Sequence, residues 1–184
     1  PRPETEMLIE RLKIGGKVNS LLEIGTGSGC IAITASLEEL AENIFATDNS
    51  QSALNIAKNN MELFGVTNLQ LAFHDFFQNR FKSKFDVVVS NPPYIDLDEI
   101  DLLQAEVRDY EPLSSLTDGF DGVSFYRQFA EQFDNLLKPG GIMILEIGGN
   151  EQKNDIKMIF RDRGLNTLFF KDLQKHWRVV EVRK

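Results

Sequence analysis

Asn91-Pro92-Pro93-Tyr94 sets a side-chain amide, two pyrrolidine rings and a phenol in consecutive positions. Proline fixes φ and has no N–H, so the pair holds the chain extended and offers carbonyl oxygens without competing donors. Asn91 adds a side-chain carbonyl acceptor beside them. Two acceptors held rigidly together suit a planar –NH2 group, and Tyr94 supplies a flat face for it to lie on. With both hydrogens held in the guest's own plane, the π-type electron density of its nitrogen faces out of that plane, towards a bound electrophile. That geometry suits methylation of an amide or an exocyclic amine. The same four residues also read as a Pro-Pro turn with Asn91 ending a strand, and both readings stand at this point.

The elements that must position such a group are legible around it. Phe85 to Ser90 is an apolar, β-branched run of the kind that forms a strand buried on both faces, so the motif sits at a strand's carboxyl end, where open α/β sheets bind ligands. Earlier in the chain, the strand Ser20–Ile24 runs into Gly25-Thr26-Gly27-Ser28-Gly29, and Ile31–Leu40 follows as a helix. Glycines there let the backbone approach a ligand at a helix N-terminus. A dinucleotide fingerprint would want its third glycine at position 30, which holds Cys30; the G-x-G-x-G form instead resembles the first motif of S-adenosylmethionine-dependent methyltransferases. Glu23 reads either as a strand-end acid with a solvated carboxylate or as the holder of a ligand's ammonium group. A second strand, Asn43–Thr47, ends in Asp48, the position of a ribose-binding acid. Asp48 is also a plausible cap for the helix Ser50–Phe64, though Asn49 and Ser50 can serve there. The third strand, Leu69–Phe73, ends in His74-Asp75-Phe76-Phe77, with His74 read as a satisfied edge residue and Phe76 as either a binding or a core ring.

The remainder reads as scaffold. Pro1 to Ile14 is a helix stopped by Gly15-Gly16, and Ile95–Gly122 is a short helix followed by an irregular insertion. Val123–Leu137 is a helix whose stripe of Phe125, Phe129, Phe133 and Leu137 reads as core. Lys138-Pro139-Gly140-Gly141 is a helix-stop turn. Strands are expected at Ile142–Ile147, Asn166–Lys171 and Arg178–Val182, with a helix over Asn150–Arg163; these last elements show no acid–base constellation. No metal-ligand spacing is found.

The 184 residues suffice for one domain with a full core, and the single cysteine, Cys30, excludes an internal disulfide. With no apolar run long enough to span a bilayer, the expected setting is the cytoplasm, without a membrane partner. Net charge is 20 − 28 = −8, which disfavours a nucleic-acid partner. The acids concentrate after the central motif: Ile95–Gly122 carries nine of them against one base, Arg108. Opening at Pro1 without Met, the chain is expected to be part of a longer polypeptide.

Taken together, Pro1-Arg2-Pro3-Glu4-Thr5-Glu6, Glu23-Ile24 with the glycine turn, Asp48, Asp75-Phe76-Phe77, Asn91-Pro92-Pro93-Tyr94-Ile95 and Tyr110-Glu111-Pro112 resemble the release-factor glutamine methyltransferases of the HemK/PrmC type. The resemblance implies a Rossmann-like α/β fold of class I, with a seven-stranded sheet, one strand antiparallel, and S-adenosyl-L-methionine as methyl donor, leaving S-adenosyl-L-homocysteine. It implies as acceptor the Gln of the Gly-Gly-Gln loop of a peptide chain release factor. By motif, Gly25 to Gly29 cradle the methionine part, Asp48 holds the ribose, Asp75 and Phe76 lie by the adenine, and Asn91 with the Pro92 carbonyl grips the substrate amide. Residues 1–184 are then one methyltransferase domain, without the N-terminal helical domain by which the family docks the release factor. Two rivals remain: an amino-methyltransferase acting on a flipped base, and a module that senses S-adenosylmethionine without turning it over.

Overall fold

The computed structural model describes residues 3–184 except Glu111, and leaves aside the side chains of Pro3 and Glu4. In it the apolar runs form β1 (Val18–Ile24), β2 (Ala41–Asp48), β3 (Leu69–Phe73), β4 (Phe85–Ser90), β5 (Leu137–Glu146), β6 (Asn166–Lys171) and β7 (Trp177–Arg183). The helices are α1 (Pro3–Gly15), α2 (Cys30–Leu37), α3 (Gln51–Leu63), the single turns α4 (Ala105–Arg108) and α5 (Leu113–Leu116), α6 (Ser124–Leu136) and α7 (Lys153–Arg161). One sheet has the order β3-β2-β1-β4-β5-β7-β6, with β7 antiparallel to both its neighbours and the other pairings parallel.

The central strands are apolar at successive positions because both of their faces are covered. Leu21, Val87, Val89 and Ile144 point into one core with Leu8 and Leu12 of α1 and Ile31 of α2. Leu22, Val88, Met143 and Leu145 point the opposite way, onto Tyr126, Phe129 and Phe133 of α6 and Phe160 of α7. The order reverses between β1 and β4, so the chain leaves their carboxyl ends in opposite directions and opens a crevice there. The glycine turn after β1 and Asn91 after β4 flank that crevice.

Strand ends at β3, β4 and β6 match the sequence reading, while several other boundaries shift for identifiable reasons. Helix α2 stops at Leu37, because Glu39 turns to φ 53° and the Leu40 N–H returns to the Ala35 carbonyl at 2.9 Å. Lys138–Gly141 is not only a helix stop: β5 already begins at Leu137, and the pairing register with β4 shifts between Phe85 and Val87 to absorb the tight Gly140 turn. The expected start of α7 is lost because Gln152 is engaged elsewhere: its amide donates to the Tyr94 carbonyl and accepts the Gly148 N–H at 3.1 Å.

The last strands also hold a buried ion pair that sequence reading missed. Glu181 on β7 is 2% exposed and pairs with Arg11 of α1 at 2.6 Å, while the Arg11 guanidinium lies 3.8 Å above the Phe170 ring. Together with Leu8 and Leu12, this pair fixes α1 across the sheet.

Candidate active site

The glycine turn owes its shape to Glu23 and Asp48. Glu23 is not solvated: it is 1% exposed, and its carboxylate accepts the Thr26 hydroxyl at 2.7 Å and the Ala32 N–H at 3.0 Å. Burial raises its pKa to about 8, against the lowering effect of those two bonds, and the negative Asp48 adds to the rise. Asp48 accepts the Gly27 N–H and the Ser50 N–H, both at 2.9 Å. The helix α3 is capped by Ser50, whose hydroxyl accepts the Ala53 N–H at 3.3 Å, so Asp48 is not its cap. Gly27 has φ 55°, a left-handed conformation that turns its N–H to Asp48 at no side-chain cost.

A cavity of about 290 Å³ lies against this turn. Of the residues singled out from the sequence, Glu23, Gly25, Thr26, Gly27, Ser28, Asn91, Pro92 and Tyr94 line it. Thr5, Cys30, Ile31, Ile95, Ser115 and Leu116, to which sequence reading gave no site role, complete the wall. Ser115 and Leu116 arrive from the insertion through a bridge between Ile95 and Thr117. The end of the same insertion is packed beneath the motif: a Cβ on Gly122, at φ 71°, would collide with the Tyr94 carbonyl.

Gly29, Asp48, Asp75, Phe76 and Pro93 lie off the cavity lining. Asp75 spends its carboxylate on the Phe77 and Gln78 N–H groups at 2.9 and 3.1 Å. The Phe76 ring is 4% exposed and 4.7 Å from Phe129, and the Gln128 and Gln132 amides hold its carbonyl, so the ring is core and offers no open face. Exposed aromatic surface at this strand end belongs instead to Phe73, at 59%, and Phe77, at 47%. His74 stacks on Phe81 at 3.9 Å, and its buried Nε2 has no hydrogen-bond partner among the described residues, contrary to the satisfied edge residue expected. Burial lowers the His74 pKa, although nearby Asp75 acts in the other direction.

Tyr94 directly, and Asn91 through Thr5, are tied to Glu146, a buried acid at the end of β5. Thr5 donates its hydroxyl to Glu146 Oε2 at 3.0 Å and accepts Asn91 Nδ2 at 3.3 Å; the Tyr94 hydroxyl donates to Glu146 Oε1 at 3.2 Å. Tyr126 of α6 fixes the Glu146 backbone, donating to its carbonyl at 2.7 Å. A signal for Glu146 was present: it is the one charged residue in Ile142-Met143-Ile144-Leu145-Glu146-Ile147.

Among the described residues no helix is long and apolar enough to cross a membrane. The family described as "Methyltransferase small domain" matches residues 3–107. The release factor glutamine methyltransferase of Thermodesulfovibrio yellowstonii is 37% identical over 191 residues, covering 100% of this chain and 68% of that protein. The chain belongs to the release factor glutamine methyltransferase family. A bifunctional methyltransferase of Rickettsia felis is 43% identical over 162 residues, but the match covers 87% of this chain and only 31% of the Rickettsia protein. Among solved structures, a Pyrococcus furiosus methyltransferase superposes with TM-score 0.71 at 23% identity, covering 98% of this chain and 82% of that one. A DhpI complex with S-adenosylhomocysteine gives TM-score 0.69 at 14% identity, covering 97% and 83%. The fold is that of the class I S-adenosylmethionine-dependent methyltransferases, as in this family, and S-adenosylmethionine is the cofactor.

The residues present fit that cofactor. Gly25, Gly27 and Gly29 all have positive φ, forming a turn without side-chain bulk, and among the described residues the buried Glu23 carboxylate beside it has no cation as a hydrogen-bond donor. An ammonium group would supply one.

Proposed function

We propose that the chain transfers the methyl group of S-adenosylmethionine to the side-chain amide nitrogen of the Gln in the Gly-Gly-Gln motif of a peptide chain release factor. The carrying observation is the single cavity that the glycine turn, Glu23, Asn91 and Pro92 line together. On this reading the cofactor cradle and the planar-amide grip share one cavity. Identity with relatives named for this activity supports the same reading, and the matching cellular setting is the cytoplasm.

Bound there, S-adenosylmethionine supplies an electrophilic methyl group on a sulfonium. Glu23 holds the ammonium group, Gly25 to Gly29 receive the methionine portion, and Asp48 accepts the ribose hydroxyls. Asp75, at the end of β3, faces the adenine end, its carboxylate also accepting the Phe77 and Gln78 N–H groups. Asn91 Oδ1 and the Pro92 carbonyl accept the two amide hydrogens of the substrate. An amide nitrogen is a poor nucleophile, so the work of these groups is alignment and stabilisation of the positive charge growing on nitrogen. The excess proton leaves the nitrogen after transfer, and no side chain has to act as a general base.

Incubation with a purified release factor and S-adenosylmethionine should release S-adenosylhomocysteine. Replacing the factor's glutamine should abolish this, and RNA or DNA should not substitute for the factor. Product release with nucleic acid alone would favour the base-directed rival, and none with any acceptor would favour the sensing module.

Asp48→Ala should weaken S-adenosylmethionine and S-adenosylhomocysteine by ~1–3 kcal/mol, because the ribose loses its acceptor and the Gly27 N–H loses its partner. Calorimetry checks this, and unchanged affinity would remove Asp48 from the ribose.

Asp98 and Glu99 open the exposed 3-10 turn Leu97–Leu102, beside a groove whose lining sets Asp96, Glu99, Asp121, Glu151 and Asp155 against Arg178 and His176. Charge of this kind attracts a cationic protein surface, repels phosphates and acts mainly on association rate. Replacing Asp98, Glu99 and Asp101 by their amides should lower kcat/KM several-fold for a whole release factor at low salt. A short neutral peptide should be little affected, and the difference should close as salt shortens the Debye length to ~8 Å and below. A triple variant equal to the parent at every ionic strength would make these acids a solvated surface only.

A further inference from the structure

Thr5 lies on α1, 86 positions from Asn91 and 141 from Glu146, yet it is 8% exposed and bonds to both. A threonine hydroxyl carries one hydrogen and can accept through its lone pairs. Here the hydrogen is donated to Glu146 Oε2 at 3.0 Å. Thr5 therefore has only lone pairs to present to Asn91, and the group of Asn91 that faces it must be the –NH2. The other end of the amide, Oδ1, is then directed away from Thr5. Were the amide turned over, Oδ1 would meet those lone pairs and the –NH2 would take the place of the acceptor.

We propose that Thr5 is a positioning residue for methyl transfer, which, backed by Glu146, fixes which end of the Asn91 amide faces the substrate. The inference rests on the reading of Asn91 as the acceptor of a substrate N–H. It assigns α1, through one hydroxyl, a part in the chemistry as well as in the scaffold. Arg11, anchored on Glu181, holds the same helix against β7, so the hydroxyl is delivered by a fixed element. Tyr94 reaches Glu146 through its other oxygen, so one carboxylate orders both polar members of the motif.

A hydroxyl that only stabilised the fold would affect all functions together, whereas one that sets an amide's orientation acts only while Asn91 is present. Thr5→Val keeps the shape of the side chain and removes the hydroxyl; Thr5→Ser keeps the hydroxyl. At saturating cofactor and substrate, Thr5→Val should lower the single-turnover rate by roughly tenfold or more, with cofactor affinity within about twofold. Thr5→Ser should restore most of the rate. In an Asn91→Ala background, Thr5→Val should cost little further, since the two changes disable one interaction.

The second measurement needs no acceptor. In NMR spectra of the selectively labelled protein, one Asn91 side-chain amide proton should exchange slowly in the wild type and in Thr5→Ser, and lose that protection in Thr5→Val. If Thr5→Val retains the protection, or costs as much without Asn91 as with it, the inference is wrong. If the wild type modifies no release factor while the NMR contrast holds, the functional reading fails and the positioning of Asn91 by Thr5 stands. If Thr5→Val does not fold well enough to assign, loss of the same protection in Glu146→Ala supports the inference and its persistence overturns it.

Discussion

Asn91→Ala should lower methyl transfer by ~10²-fold or more while leaving affinity for S-adenosylmethionine within a few-fold. The asymmetry follows from position. The glycine turn, Glu23 and Asp48 all lie on the β1 and β2 side of the crevice and are bonded among themselves, whereas Asn91 enters from β4 and is bonded to Thr5. Removing it takes away one of the acceptors that hold the substrate nitrogen, and takes nothing from the cradle. Single-turnover rates at saturating substrate, with cofactor affinity measured in parallel, separate the two. Normal turnover would remove Asn91 from the mechanism.

Glu23→Gln should abolish a pH dependence that the parent shows both in stability and in cofactor binding. The folded carboxyl titrates near pH 8, against 4.5 for the same group unperturbed. The folded state thus binds its proton more tightly, and stability falls as pH rises from about 4.5 to about 8. Below that window this group costs the fold nothing; above it the whole cost of a buried charge applies. A neutral amide at position 23 should remove the slope and raise the melting temperature at neutral and alkaline pH, by on the order of several kcal/mol in stability. An ammonium group beside Glu23 has the opposite effect on its titration, favouring the charged form. Cofactor binding near pH 7 should therefore release roughly one proton, read by calorimetry in buffers of differing ionisation enthalpy. The variant should release none and bind at least tenfold more weakly, since it forfeits a buried charge pair. Buffer-independent binding heats in the parent would mean that Glu23 does not face the ammonium group.

Much of this arrangement is legible in the chain, for physical reasons that also mark where legibility ends. Phe85–Ser90 is buried on both faces and bounded by polar residues, so pattern alone gives its limits. Gly25 to Gly29 and Asn91 to Tyr94 are local motifs whose backbone needs are written in their own residue types. Helix ends were misplaced where a distant group decided them, as at α7, where Gln152 turns to the Tyr94 carbonyl. The buried acids were the larger loss. Glu146 and Glu181 find their partners on α1, 141 and 170 positions away, and no local pattern encodes such a pairing. Phe76 shows the same limit in a chain with 14 phenylalanines: only packing against Phe129 distinguishes its ring from the exposed Phe77 next to it.

The central claim is that the planar nitrogen held at Asn91 is a glutamine side chain of a release factor. Peptide mass spectrometry of a purified release factor, after incubation with this protein and S-adenosylmethionine, tests it most directly. The account predicts that the peptide carrying Gly-Gly-Gln gains the mass of one CH2, with fragmentation placing it on the glutamine side chain, and that Asn91→Ala leaves the peptide unmodified over the same time. A methyl group on any other residue, or an unchanged peptide with active S-adenosylhomocysteine production on another acceptor, would contradict it.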